Sequence, residues 1–282
     1  MTPDIRAKIR DFGAELTPGM MGGTQEIFRA LQPGLPAEAR VTRDQTYGPD
    51  ERNRLDIFTR DDLSGAPVLL FVHGGGFVMG DKTTEGSPFY DNIGGFAVGS
   101  GFVGVTMTYR LAPAHTWPAG GEDVASAVAW LRENIARHGG DPARIFVMGQ
   151  SAGAVHVAEA VARFSPDIAG ALLVSGIYDV ASAPPNQFQQ AYYGADAAQY
   201  PARSTLDGLM QTAVPLLLAV SEFDPPEFQA QAAALTGAFM AAHQRFPRLH
   251  WLGGHNHLSP VLEIGTAGSD LERHITDFIA AA

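Results

Sequence analysis

The stretch IFVMGQSAGAVHV, residues 145–157, decides the fold of this chain. Its apolar start predicts a buried strand, and its alanine-rich continuation predicts a helix. Between them GQSAG, Gly149–Gly153, matches G-x-S-x-G in the strand-to-helix context that this motif requires, with glycines where side chains would clash on a strained turn. A chance match in a chain of 32 glycines is the alternative. The flanking elements favour a nucleophilic Ser151 at a helix N-terminus, where the dipole stabilises developing negative charge.

Short apolar runs bounded by turn residues recur along the chain. Most are continuous, which is typical of strands buried on both faces of a parallel sheet. Helical patterns such as 122–139 lie between them, so we predict an α/β fold with a helix-flanked, mostly parallel sheet. Two more alternating runs, 41–48 and 54–60, predict an antiparallel pair leading into the sheet. The apolar runs are VLLFV (68–72), FVGVTMTY (102–109), IFVMG (145–149), ALLVSG (171–176), VPLLLAV (214–220) and LHWLGG (249–254).

Length and composition bound the class of protein. The 282 residues suffice for one large α/β domain, and we expect a catalytic domain over 41–282. Residues 1–40 and 181–210 break the alternation, and we expect both to form a small helical cap. The net charge of −11 argues against nucleic acid and anionic membranes as partners. The chain has no cysteine, which leaves the compartment open. Its first residues lack a signal-peptide core, so we expect a cytoplasmic protein; a homodimer is left open.

A second chemical signal is HGGGF, His73–Phe77, which follows the first continuous apolar run. Consecutive glycines leave backbone N–H groups free to face an oxyanion. We assign Gly75 and Gly76 as N–H donors, with Ala152 as the third. A simple turn or a phosphate loop is the alternative, but neither phosphate-binding pattern is completed here. His73 is expected to brace the loop.

A serine nucleophile of this kind needs a base, and the base needs an acid. Asp224 follows a predicted strand, where an open α/β sheet places functional groups, although an aspartate before proline also suits a helix cap. Glu222 is the weaker candidate for the acid. Where a serine lies on such a turn, the acid and then the histidine follow it in the chain. His255 and His257, in GGHNHLSP, are the histidines expected in the loop after the last strand.

The spacing of these two histidines also suits a metal clamp. Zinc, however, requires a third and usually a fourth ligand, and the sequence offers no cysteine and no HExxH pattern. We therefore expect no metal. The residues alone leave open which histidine is the base.

Five features together carry a family resemblance: HGGGF, YRLAPAHTWPAGGEDVASAVAWL (109–131), DPARIFVMGQSAG (141–153), the Asp-Pro after a strand and the late histidine. On these features the chain resembles the hormone-sensitive-lipase-like α/β-hydrolases, over roughly residues 41–282. The resemblance implies an α/β-hydrolase fold with an eight-stranded sheet and a small helical cap partly from the N-terminus. It also implies hydrolysis of short-to-medium acyl or aryl esters, with no cofactor.

Carried over by position, the resemblance implies that Ser151 is the nucleophile, Asp224 the acid and His257 the base. His257 is preferred to His255 because the family's histidine is followed by an apolar residue and precedes the last helix. The family's GDSAGG is GQSAGA here, with Gln150 in place of an acid. Position 150 flanks the acyl site in the family, so the change bears on which substrate is accepted and not on the mechanism. The residues expected around the substrate are Phe77, Met79, Met20, Phe188 and Tyr192, with Gln150 and His255 beside them.

Two rival functions remain. SGIYD, DPPEF and Asn256-His257-Leu258 also resemble arylformamidases and feruloyl-esterase-like members of the superfamily, so a formylated aromatic amine is an alternative substrate. A receptor that binds a small ligand without catalysis, like the plant gibberellin receptors, is the other. That rival is disfavoured because serine, acid and histidine are all present.

Overall fold

A single eight-stranded sheet organises the computed structural model, which describes residues 1–282. Its order is β1-β2-β4-β3-β5-β6-β7-β8, and all neighbours from β4 to β8 pair in parallel, whereas β2 pairs antiparallel with β1 and β4. The predicted fold class and the leading antiparallel pair are confirmed. The strands are β1 Arg40–Thr46, β2 Arg54–Thr59, β3 Ala66–Val72, β4 Val103–Met107, β5 Gly140–Gln150, β6 Gly170–Val174, β7 Leu216–Phe223 and β8 Arg248–Asn256.

One boundary differs from the sequence prediction in a way that matters for the site. We expected the last strand to end at Gly254, with both histidines in the following loop. Instead β8 extends to Asn256, because a register shift between Ser221 and Phe223 lets Phe223 pair with Asn256. His255 is therefore a strand residue, and only His257 lies beyond the strand.

Helices cover both faces of the sheet. One apolar cluster joins the sheet to α4, α5, α8 and α9, and the other joins it to α1, α2, α3, α10 and α11. The helices are α1 Pro3–Phe12, α2 Pro18–Arg29, α3 Asp91–Gly99, α4 Ala119–Asn134, α5 Ala152–Glu159, α6 Gln187–Tyr193, α7 Tyr200–Arg203, α8 Leu206–Gln211, α9 Pro226–His243, α10 Ser259–Glu263 and α11 Asp270–Ala280. None of them has the length and apolar content needed to cross a membrane.

The two segments that break the alternation lie at different parts of the sheet. In residues 1–40, α1 packs on β8 and α2 packs on α10, and each helix begins at a threonine whose side chain accepts a backbone N–H before a proline. Residues 181–210 contribute α6 and α7 to a third apolar cluster, which contains Phe77 and Ala152 from the predicted site loops. The assignment of both segments as a cap stays a prediction.

Candidate active site

Ser151 occupies the turn between β5 and α5 with φ 56° and ψ −122°, a conformation that L-residues rarely adopt. The glycines around it are required by close packing. A Cβ on Gly149 would lie 2.3 Å from the carbonyl oxygen of Gly153, and a Cβ on Gly153 would lie 2.0 Å from that of Val72. The Ser151 N–H donates to the carbonyl of Val174 over 2.9 Å, which ties the turn to β6. Packing therefore holds the strained serine in place.

Ser151, His257 and Asp224 are brought together in one line of hydrogen bonds. The Ser151 Oγ lies 2.8 Å from His257 Nε2, and His257 Nδ1 lies 2.6 Å from Asp224 Oδ1. Asp224 is fully buried and His257 is 2 % exposed. Such a line can remove the serine proton at Nε2 while the carboxylate fixes the ring and stabilises its charge.

The second oxygen of Asp224 is also fully engaged. Asp224 Oδ2 accepts from the Ser175 hydroxyl over 2.7 Å and from the Ser221 N–H over 2.6 Å, which leaves Oδ1 for His257. The carboxylate does not cap α9, since the residue that caps this helix is Pro225 and no side chain accepts there. Glu222, the weaker candidate for the acid, instead accepts from the Gly254 N–H over 2.6 Å.

The loop that carries His257 is fixed from two directions. Gln150 is buried, and its Nε2 donates to the His257 carbonyl over 2.9 Å, so β5 holds both the serine turn and the histidine backbone. The Phe228 ring packs on the imidazole with 4.3 Å between ring centroids. Gln150 therefore contacts the loop of His257 through its amide nitrogen, and its oxygen lies beside Gly74, where a Cβ would come within 2.5 Å of it.

The HGGGF loop offers unpaired donors beside this line. Gly75 and Gly76 have φ 132° and 58°, and their N–H groups donate to no other group of the chain. A Cβ on Gly75 would lie 2.0 Å from the Met79 carbonyl oxygen, and one on Gly76 would contact the Phe188 side chain at 3.2 Å. Ala152 is the first residue of α5, where an N–H has no intrahelical partner. The loop can therefore present donors to an oxyanion.

His73 packs beneath this loop. Its Nδ1 donates to the Gly74 carbonyl over 2.7 Å, and its ring stacks on Tyr109 with 4.4 Å between centroids. Burial lowers the pKa of His73 to about 4, so the ring is neutral at physiological pH. These contacts support the bracing role expected of it.

The residues expected around the substrate lie at different depths. Phe188 is 38 % exposed beside Gly76, and Phe77 is 6 % exposed. Tyr192 is fully buried behind Phe77, stacking on it at 4.7 Å, and its hydroxyl donates to Glu159. Tyr192 therefore packs against Phe77 from the inside and offers no surface to a substrate. Met79 is 56 % exposed in the HGGGF loop region, and Met20 is buried in α2.

His255, expected at the pocket wall, makes its ring contacts with Ser259 and Glu263. Its Nδ1 lies 3.0 Å from Ser259 Oγ and its Nε2 lies 3.4 Å from Glu263 Oε2. The ring is fully buried, and burial lowers the pKa of His255 to about 4. His255 makes these contacts because it lies within β8, whereas His257 follows the end of that strand. His255 is therefore an internal packing residue.

Ser175 is a site residue that sequence reasoning missed. It directly follows β6, at the same carboxyl edge of the sheet that carries the other site residues. The rule that functional groups gather at this edge could have pointed to it. No group of three or more His, Cys, Asp or Glu side chains is placed to hold a metal ion.

Comparison with known proteins gives a family for this chain and several relatives. Residues 69–246 match the family described as alpha/beta hydrolase fold. Esterase LipQ from Mycobacterium tuberculosis is 31 % identical over 245 residues, which are 75 % of this chain and 57 % of LipQ. Carboxylesterase NlhH from the same organism is 36 % identical over 149 residues, 50 % of this chain and 44 % of NlhH. The chain thus spans about half the length of these curated relatives.

Solved structures share the fold over nearly the whole chain. Esterase B from Lactobacillus rhamnosis superimposes with a TM-score of 0.76 at 17 % identity, covering 99 % of this chain and 95 % of that one. A hyperthermophilic esterase from the archaeon Pyrobaculum calidifontis gives 0.73 at 19 % identity, covering 100 % and 98 %. At these identities the likeness concerns the fold alone.

Proposed function

The chain belongs to the alpha/beta hydrolase fold family, and from that premise we propose that it is a serine carboxylesterase acting on short-to-medium acyl or aryl esters. The observation that carries the proposal is the continuous hydrogen-bonded line from Ser151 through His257 to Asp224, beside unpaired glycine N–H groups. The names of the relatives, esterase and carboxylesterase, support ester rather than other acyl chemistry.

The proposed first half-reaction transfers the acyl group to the protein. His257 Nε2 takes the Ser151 hydroxyl proton while Oγ forms a bond to the ester carbonyl carbon. The carbonyl oxygen becomes an oxyanion that accepts from the N–H groups of Gly75, Gly76 and Ala152. When the carbon–oxygen bond to the leaving group breaks, His257 returns the proton to the departing alkoxide, and the alcohol leaves.

The second half-reaction repeats these steps with water. His257 removes a proton from water as the water oxygen attacks the acyl carbon. The same donors hold the second oxyanion, and the proton returns to Ser151 Oγ as the acid leaves. Asp224 holds the imidazole through Nδ1 and stabilises the imidazolium in both halves. Every proton transfer and bond change in these two half-reactions is carried out by residues of the chain together with substrate and water.

The proposed substrate class follows from the side chains nearest the donor loop. Phe188 presents aromatic surface beside Gly76, and Phe77 and Ala152 belong to one apolar cluster, which suits an apolar acyl or aryl group. A helical cap formed by residues 1–40 and 181–210 and a homodimer remain part of the proposal.

A hydrolysis screen tests this function. The purified chain and Ser151→Ala are assayed against p-nitrophenyl esters from acetate to dodecanoate, against aryl acetates and against N-formylkynurenine. We expect Ser151-dependent hydrolysis that falls as the acyl chain lengthens. Turnover of N-formylkynurenine in preference to every ester would replace the esterase by an arylformamidase. If an organophosphate fails to label Ser151 stoichiometrically, the serine-hydrolase proposal is wrong and ligand binding without catalysis takes its place.

A further inference from the structure

The N-terminal helix α2 reaches the loop that carries His257. Asn256 Nδ2 donates to Thr24 Oγ1 over 2.8 Å, joining residues 232 positions apart in the chain. Both side chains are fully buried. Residues 1–40 are expected as part of a cap over the sheet, and this contact joins them to the side chain of Asn256, the residue immediately before His257.

The hydroxyl of Thr24 is committed to this orientation. Thr24 Oγ1 donates its proton to the carbonyl of Met20, one helical turn earlier, over 2.8 Å. Its lone pairs are therefore free to accept from Asn256, whose Nδ2 donates to no other group. Without the Thr24 hydroxyl, a buried amide donor would be left without a partner, which is costly.

The other atoms of Asn256 bracket His257. Asn256 Oδ1 accepts from the N–H groups of Leu258 and Ser259, at 3.2 and 3.1 Å. The Asn256 N–H donates to Ser259 Oγ over 3.0 Å. Asn256 thus ties the residue before the histidine to the two residues that follow it. Rotation of the Asn256 amide would release Leu258 and Ser259 and let the imidazole shift.

We propose that Thr24 is a positioning residue for His257, acting through the Asn256 amide, so that the N-terminal helices set the placement of the catalytic base. This inference rests on the proposed function and extends it to a segment that touches neither the serine nor its acid. Geometry is the reason for the expected effect, because small displacements of a catalytic group lower turnover strongly.

The test compares Thr24→Val, which has nearly the shape of threonine but no hydroxyl, with Thr24→Ser, which keeps it. We expect kcat on a p-nitrophenyl ester to fall roughly tenfold or more in Thr24→Val with KM little changed, and Thr24→Ser to stay within about twofold of the parent. The far-downfield proton resonance of the His257 Nδ1–H is expected to shift or broaden in Thr24→Val alone.

Gln32→Leu provides the structural control. Gln32 Nε2 donates to the carbonyls of Leu262 and Ile264, so the substitution weakens the same docking of the N-terminal segment without touching Asn256. We expect it to lower the temperature of unfolding while kcat and the downfield resonance are retained. If Thr24→Val does not fold, Thr24→Ala makes the same deletion with a better helix former.

Two results would overturn the inference. One is a folded Thr24→Val or Thr24→Ala with the kcat and resonance of the parent, and the other is Gln32→Leu losing as much kcat as they do. The resonance separates this inference from the proposed function. A chain that hydrolyses no ester would refute the esterase, whereas the response of the His257 proton to Thr24 would still decide the positioning role.

Discussion

The Ser175 hydroxyl donates to Asp224 Oδ2 over 2.7 Å, at the buried end of the line that leads to Ser151. Ser175 directly follows β6 and has a positive φ of 52°, in the left-handed region that is unfavourable for a residue with a side chain. A side chain held in such a conformation by a buried carboxylate is typical of a functional constraint. The hydroxyl and the Ser221 N–H together leave one free oxygen for His257.

Removal of the Ser175 hydroxyl is expected to lower turnover without harming the fold. Ser175→Gly and Ser175→Ala both leave Asp224 short of one donor, and we expect kcat to fall roughly tenfold in each. Glycine also relieves the left-handed strain, so Ser175→Gly should be more stable than Ser175→Ala by about 1 kcal/mol. Steady-state kinetics and urea unfolding of both variants test this. Equal kcat in the parent and both variants would contradict it.

The two histidines of the C-terminal loop should differ sharply in their effect on activity. His257→Ala removes the group that takes the Ser151 proton, and we expect kcat on p-nitrophenyl esters to fall by about 10⁴-fold or more. His255→Ala removes a ring that contacts Ser259 and Glu263, and a substantial part of the activity should remain. The measurement is kcat per folded protein, with circular dichroism of each variant. The reverse order would overturn the assignment of the base.

A Cβ on Gly75 should impair the oxyanion donors. It would lie 2.0 Å from the backbone oxygen of Met79, so the loop must move, and Gly75→Ala is expected to lower kcat by about 10²- to 10³-fold. Gly86→Ala is the matched control, because Gly86 also has a positive φ, 72°, but nothing lies within 4 Å of its Cβ position. Activity lost equally in both variants would show that backbone strain, and not the loop, is responsible.

Much of this architecture could be predicted from local sequence, because its causes are local. Buried parallel strands need continuous apolar runs, so the strand near 68–72 and its neighbours stand out. Ser151 is recognisable because its turn demands glycines at fixed spacing, and Asp224 because it follows a strand. The choice between His255 and His257 has no local cause. It depends on a register shift between β7 and β8 that lets β8 continue two residues further, to Asn256.

The hydrogen bonds that hold the site together could not be predicted from the sequence, because they join residues far apart in the chain. Gln150 is within the serine motif, yet its partner is a carbonyl 107 residues away. Thr24 belongs to a helix whose pattern indicates only amphipathic packing, and its partner is 232 residues away. Hydrogen bonds of this kind depend on how distant elements dock, which no spacing within one segment encodes.

A buried histidine on α5 should make the fold sensitive to acid. His156 is fully buried against the rings of Phe77, Tyr109 and Tyr192, and neither ring nitrogen has a hydrogen-bond partner. Burial lowers the pKa of His156 to about 3. In the unfolded chain His156 binds a proton near pH 6.5, whereas in the folded chain it stays neutral down to about pH 3. The free energy of unfolding therefore falls as the pH drops from about 6.5 towards 3.

His156→Leu should remove this part of the acid sensitivity. Between about pH 7.5 and about pH 5, the parent should lose about 2 kcal/mol more free energy of unfolding than the variant, because only the parent's unfolded state gains that proton. At the higher pH the variant should be at least as stable, since leucine buries no unpaired nitrogen. Urea unfolding at both pH values measures the difference. His73 and His255 still titrate in the variant, so some acid loss should persist; identical losses in the two proteins would mean that His156 protonates in the folded state.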